Sequence, residues 1–222
     1  MPYQLLWIAL IVAFVDWISA AKKWRKVEYI AKPTVIIILF VWLMINNGLS
    51  SWTIWFGIGL VFSLFGDIFL LLPEKFFIVG LFSFSLTHLA YIIGFNPTLP
   101  QTNIASLILA ALVGITAAQI YNKIAAGAIK KGQRELRIPI LIYTVMITLM
   151  LLSALLTLVR PTWDALSAII VSIGALLFFI SDSLIGWNKF FQTIPNGRIY
   201  IMITYHFGQF GIIIGAALHY LF

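Results

Sequence analysis

The sequence predicts an all-α, polytopic membrane protein, a bundle of eight transmembrane helices. Three observations predict it. The 222 residues are 62% hydrophobic and 9% charged, with a mean hydropathy of +1.05, whereas a soluble domain is about half apolar and about a quarter charged. Eight windows approach the length of about 20 mostly apolar residues that a helix needs to cross a bilayer. Gly, Pro, Asn and Ser cluster between windows, where chain reversals need them. No stretch is polar enough to form a soluble domain, so residues 1–222 are read as a single transmembrane domain.

The windows follow in order. The first, 3–20, precedes the basic cluster Lys22, Lys23, Arg25 and Lys26. A signal peptide carries its charge before the apolar run, so this segment is expected to be a helix. The second, 33–47, is short, begins inside the interface behind Lys32, and ends at "NNGLSS" (46–51). The third, 52–72, carries Asp67 and ends at "LPEK" (72–75). The fourth, 76–95, carries His88 and Tyr91 and ends at "FNPTLPQTN" (95–103). The fifth and sixth, 103–121 and 138–158, flank a basic loop, and the sixth ends at "RPTWD" (160–164). The seventh, 163–187, carries Asp182, and the eighth, 199–221, carries Tyr205, His206 and Gln209.

Every basic residue except Arg160 lies at the loops after windows 1, 3, 5 and 7. The positive-inside rule makes that side cytoplasmic and both termini extracytoplasmic. The net charge of +7 is thus explained by orientation and by anionic membrane lipid. With no basic domain to carry it, nucleic acid binding is not expected. The chain has no cysteine, which removes disulfides, thiolate nucleophiles and thiolate metal ligands. Gly59 precedes Asp67, and Gly174 precedes Asp182, by the same interval, in the third member of each set of four windows. This spacing suggests two parallel four-helix halves.

Orientation converts position into depth at about 1.5 Å per residue. Asp67, Asp182, Tyr143, Tyr205 and His206 fall in one cytoplasmic-half layer, with Lys32 and Asp16 near its edge and His88, Tyr91 and Gln209 deeper. Ser63 and Asp67, Tyr205 and Gln209, His88 and Tyr91 are spaced to share helix faces. Gly59, Ser63 and Gly66 form a small-residue stripe that allows close helix approach. Plainer readings stand beside these. Lys32 is long enough to snorkel to the headgroups; Asp16 pairs with the adjacent basic cluster; Glu28, Glu74, Glu135 and Asp164 are loop charges.

Two carboxyls approaching each other in a low-dielectric cavity cannot both ionise easily, which leaves an acid beside a base. That suits acid-catalysed hydrolysis, proton-coupled transport or intramembrane aspartyl proteolysis, and lipid binding without chemistry also fits. The proteases carry Gly-x-Gly-Asp, but Leu64 precedes Phe65-Gly66-Asp67, and Asp182 follows Ser181 where they carry Tyr-Asp. His88 and His206 with an aspartate would be a sparse zinc set, unsupported by any His-x-x-x-His pair. No metal or cofactor is expected.

The run "GLVFSLFGDIFLLLPEKFFIVGLFSFSLTHLAYIIGF" (59–95) resembles the signature of the YhhN family of lysoplasmalogenases, through Ser63, Gly66 and Asp67, then Phe77, Gly80 and Phe84, then His88, Tyr91 and Phe95. "YIAKPTVIIILF" (29–40), "GALLFFISDSLIGWNKF" (174–190) and "YHFGQ" (205–209) are similar to its Lys-Pro, Ser-Asp-Ser and Tyr-x-x-x-Gln blocks. His206 departs from it, standing where another aromatic or apolar residue is expected. The resemblance implies an eight-helix enzyme that cleaves the vinyl ether of lysoplasmalogen to a fatty aldehyde and glycerophosphoethanolamine or glycerophosphocholine. On that reading Asp67 and Asp182 are the acid and the base or stabilising carboxylate. Lys32 holds the phosphate. Ser63, His88, Tyr91, Tyr143, Ser181, Tyr205 and Gln209 line the substrate cavity. The partners are a lysophospholipid and membrane lipid, and the expected location is a bacterial cytoplasmic membrane.

Overall fold

A computed structural model describes residues 3–98 and 102–222. It contains eight helices long and apolar enough to span a membrane: α1 (Tyr3–Lys22), α2 (Arg25–Ile45), α3 (Ile54–Leu71), α4 (Phe77–Phe95), α5 (Ile104–Lys130), α6 (Arg137–Leu156), α7 (Ala165–Gly186) and α8 (Gly197–Leu221). Short 3₁₀ turns lead into α3, α4 and α6. Among the described residues there is no strand. Part of the expected reversal at 95–103, residues 99–101, lies outside the described residues.

Local chemistry sets several ends. Asn103 caps α5 in a reciprocal capping box with Ser106, and the Asp164 side chain accepts from the Ser167 N–H at the start of α7. Each satisfies a backbone donor that a helix start leaves without an intrahelical partner.

Two elements differ from their sequence windows. α2 begins at Arg25, two turns before the apolar window, and continues through Pro33. Glu28 and Lys32 are therefore helical residues, and both are buried. The early turns carry charges that form partners inside the bundle, so hydropathy alone misplaces the start. α5 runs on to Lys130, well past the apolar window. At its far end Gly127 lies against the Phe190 backbone.

The tightest contact is between α7 and α8. A Cβ on Gly174 would come within 2.5 Å of the Ile212 backbone nitrogen, and one on Gly208 within 2.8 Å of the Phe178 nitrogen. These glycines let the two backbones approach, and that closeness drives helix association where lipid is as apolar as leucine. The stripe on α3 works differently. Gly59 and Gly66 receive the rings of Tyr91 and Phe84 from α4. Beyond Gly186, α7 continues as a π-helical turn, Trp187–Phe191, which turns Phe190 inward.

Candidate active site

Nine of the ten site residues expected from the sequence fall into two hydrogen-bonded groups. The first surrounds Asp67 on α3. Lys32 Nζ of α2 lies 2.9 Å from Asp67 Oδ1, an ion pair outside aligned hydrogen-bond geometry. The Tyr205 hydroxyl of α8 donates to Asp67 Oδ2 at 2.7 Å. Behind them Tyr91 OH donates to Gln209 Oε1 at 2.7 Å, and Gln209 Nε2 donates to Ser63 Oγ at 2.5 Å. Ser63 Oγ is 3.3 Å from the Tyr205 hydroxyl. Four helices thus supply one closed polar group, with Asp67 fully buried.

The second group surrounds Asp182 on α7. The Tyr143 hydroxyl of α6 donates to Asp182 Oδ2, and His88 Nε2 of α4 lies 3.2 Å from that hydroxyl and 3.6 Å from the carboxyl oxygen. The sequence places both aspartates at one depth and expects a shared cavity. They are instead in separate groups with the rings of Phe84 and Phe178 between. Phe178 lies edge-on to His88 at 5.1 Å and to Tyr205 at 5.4 Å, and Phe84 packs against Phe178 and Tyr205.

Two spaces serve these groups. A narrow cavity of about 60 Å³ has Asp182 and Tyr143 in an otherwise mainly apolar wall that includes Phe84, Ile120, Ile147 and Phe179. A polar vestibule of about 360 Å³ is lined by Arg25, Glu28, Lys32, Glu74, Lys189 and Arg198. Leu70, Phe77 and Ile185 line both spaces, so they adjoin. Asp67 lines neither, and Lys32 stands between it and the vestibule. A charged chamber thus adjoins an apolar one, with Asp182 in the apolar wall and the Lys32–Asp67 pair behind the polar one.

Several residues are placed differently from the sequence reading. Lys32 does not snorkel; it is buried against Asp67. Ser181 belongs to neither group, because its hydroxyl donates to the Ile201 carbonyl at 3.0 Å and ties α7 to α8. Glu28 is no loop charge: it is buried and pairs with Arg198 at 2.5 Å. Asp16 is fully buried rather than paired with its neighbouring lysines. His206 accepts from Trp17 Nε1 at 2.9 Å. Reasoning from sequence missed the vestibule residues Arg25, Lys189 and Arg198, which read only as loop charge. It also missed Phe178, which looks like any other apolar residue of a span, and gave Phe84 only as a member of the family signature. Among the described residues no group of His, Asp and Glu is arranged to hold a metal ion.

Relatives extend over most of the chain. A Mus musculus protein named lysoplasmalogenase TMEM86B is 29% identical over 214 residues, covering 96% of this chain and 81% of its own length. A Dictyostelium discoideum protein named lysoplasmalogenase homolog is 28% identical over 259 residues, covering 95% and 84%. Homo sapiens lysoplasmalogenase TMEM86A is 34% identical over 154 residues, covering 68% and 60%. No solved structure matches the chain. The sequence profile of the YhhN family matches residues 27–216, and the chain belongs to that family.

Proposed function

We propose that this multi-pass membrane protein is a lysoplasmalogenase, which hydrolyses the vinyl ether of a lysoplasmalogen to a fatty aldehyde and glycerophosphoethanolamine or glycerophosphocholine. The observation that carries the reading is the junction of the two spaces at Leu70, Phe77 and Ile185, with Asp182 on the apolar side and the Lys32–Asp67 pair behind the polar side. The relatives named lysoplasmalogenase support it.

The alkenyl chain enters the apolar cavity and the phosphodiester occupies the vestibule. Since Lys32 is buried against Asp67, the phosphate falls to the more open cations of the vestibule, Arg25, Lys189 and Arg198, the last two sharing it with their partners Glu74 and Glu28. Arginine suits this task through its planar fork of donors. The basic end faces the cytoplasm, and bringing the ether to both carboxyls displaces the Phe84 ring.

A vinyl ether hydrolyses by protonation of its β-carbon, and the two carboxyl environments divide the work. Asp182 lies in a mainly apolar wall with no cation paired to it other than His88 when charged. It is assigned the role of acid on that ground, with Oδ2 accepting from Tyr143. Asp67, paired with Lys32 and accepting from Tyr205, is assigned the role of base. Asp182 protonates the β-carbon and leaves an oxocarbenium ion. Water adds to the ether-bearing carbon as Asp67 takes its proton, giving a hemiacetal. The hemiacetal hydroxyl returns a proton to Asp182, the C–O bond to glycerol breaks, and Asp67 protonates the departing oxygen. One water is consumed and both carboxyls return to their starting states. The division of roles follows that of paired carboxyls in glycoside hydrolysis.

The test is purified protein in detergent with a lysoplasmalogen, read by release of long-chain aldehyde. Turnover by the wild type, absent in Asp182→Asn of unchanged helicity, is the expected result. No aldehyde from the wild-type protein at any pH refutes the proposal.

A further inference from the structure

Beside the Asp67 group lies a second set of buried polar side chains for which the proposed chemistry has no use. Asp16 on α1, Glu28 on α2 and His206 on α8 are all fully buried. Each leaves one atom without a hydrogen-bond partner in the protein: Asp16 Oδ2, Glu28 Oε2 and His206 Nε2. An unpartnered buried polar group costs about 1–3 kcal/mol, more when charged. Three in one region of a small bundle call for a ligand.

The chemistry of the atoms says which ligand. Trp17 Nε1–H can only donate, so His206 Nδ1 must accept and, in the neutral ring, Nε2 carries the proton. The set therefore offers one donor and two acceptors, a mixture that suits water. Trp17, the residue after Asp16, bonds His206, which follows Tyr205 on α8, and Glu28 lies one helical turn before Lys32 on α2. Glu28 lines the vestibule, and its other oxygen is held by Arg198 at 2.5 Å. The three residues thus sit on α1, α2 and α8, the last two being the helices that carry Lys32 and Tyr205, with Glu28 at the vestibule. The mainly apolar cavity lies elsewhere, among α3 to α7.

We infer that Asp16, Glu28 and His206 hold a short file of buried water that feeds the hydrolytic water past Lys32 to Asp67. The inference rests on the ether hydrolysis proposed above. That reaction consumes a water in each turnover, at a point where the alkenyl chain fills one approach and the headgroup fills the other. Buried waters make about three hydrogen bonds each to otherwise unsatisfied groups, and this set supplies three such groups. Asp16 and His206 act through the water they hold, so they are positioning residues. His206, the departure from the family pattern, lends one donor to a file whose acceptors are carboxylates.

Two experiments decide it. An experimental map of the wild-type protein that resolves solvent is expected to show water density within hydrogen-bond reach of Asp16 Oδ2, Glu28 Oε2 and His206 Nε2. Side chains closed on one another without solvent, or a cation peak, overturn the inference whatever the activity. The second experiment is turnover in D₂O, with the unreacted substrate analysed by mass spectrometry. If water addition is slowed, protonation of the β-carbon becomes reversible. Asp16→Leu is then expected to lower kcat about tenfold, the scale of a lost transition-state hydrogen bond, with KM within about twofold of wild type. Its recovered substrate gains deuterium at the vinyl β-carbon while wild-type substrate does not. His206→Phe is expected to show the same signature more weakly, and covers the case in which Asp16→Leu does not fold. Unchanged kcat in the folded variants, or a lower kcat with no deuterium in recovered substrate, overturns the inference. A wild-type protein that releases no aldehyde refutes the proposed function instead, and leaves the solvent map to judge the water site.

Discussion

Asp67 and Asp182 are the same residue on two spanning helices, α3 and α7, yet their surroundings differ in kind. Asp67 is enclosed, with a lysine at 2.9 Å and a tyrosine hydroxyl at 2.7 Å. Asp182 has a tyrosine hydroxyl and a histidine beside it and opens on a mainly apolar cavity. One environment pairs the carboxyl with a cation; the other sets it against a mainly apolar wall. The position of a carboxyl in a span says that it matters, and its neighbours on other helices say how.

The sharpest way to break this comparison is to neutralise each carboxyl in turn. Asp182→Asn and Asp67→Asn are both expected to lower kcat for aldehyde release by about 10³-fold or more, within the range of lost acid–base catalysis. Their stabilities should part. Asp67→Asn leaves the buried Lys32 ammonium unpaired, which costs about 3–5 kcal/mol when a buried pair loses one partner, whereas Asp182→Asn removes no ion partner but His88. Adding Lys32→Met to Asp67→Asn is expected to restore much of the melting temperature and none of the activity. Equal melting temperatures for the two single variants would show that the carboxyls are not held in different states.

The tyrosines are the next step down. Tyr143→Phe and Tyr205→Phe each remove one hydroxyl from one carboxyl, and each is expected to lower kcat about 10- to 100-fold, equivalent to about 1.5–3 kcal/mol for a bond to a charged group. Each hydroxyl has one further neighbour, Ser63 for Tyr205 and His88 for Tyr143, but Tyr205 is buried and Tyr143 half-buried, so the loss at Tyr205 should lower stability more. The reverse order would move the structural weight to the Asp182 side.

The eight helices and the polar layer were legible because both are one-dimensional signals, hydropathy along the chain and depth from the nearest loop. The partition of that layer into two groups was not. Spacing shows that Ser63 and Asp67 share a face of α3, but it does not say whether Tyr205 of α8 or Tyr143 of α6 meets that face. The charged start of α2 was hidden for a related reason. Glu28 and Lys32 look like interface residues until Arg198 and Asp67, more than a hundred and more than thirty positions away, are brought to them. Of the two rings that separate the groups, Phe84 is marked only by the family signature, and Phe178 carries no signal distinguishing it from a lipid-facing phenylalanine.

The vestibule tests the comparison from outside the membrane. Arg25→Gln and Lys189→Gln are expected to raise KM about tenfold each with kcat little changed, since they remove attraction for the headgroup that is equal in the ground and transition states. Lys189 already holds Glu74 at 2.5 Å across the vestibule rim, so raised salt should weaken substrate binding in the wild type and have less effect in Lys189→Gln. A fall in kcat at constant KM would place these side chains at the reacting bond instead of the headgroup.

The smallest expected effect separates scaffold from site within one sequence motif. Ser181 and Asp182 are adjacent, but a helix turns adjacent side chains to different faces, and the Ser181 hydroxyl is spent on the Ile201 carbonyl of α8 at 3.0 Å. Ser181→Ala should therefore cost about 1 kcal/mol of stability, the net value of one ordinary hydrogen bond, and leave kcat and KM near wild type. Ser63→Ala removes a hydroxyl of the same size from the Asp67 group, where it takes a bond from Gln209 at 2.5 Å and faces Tyr205. It should lower kcat severalfold at a similar cost in stability. If Ser181→Ala loses activity as Ser63→Ala does, the α7–α8 seam sets the position of Asp182 more finely than the cavity wall around it, and the Asp182 side is as tightly held as the Asp67 side.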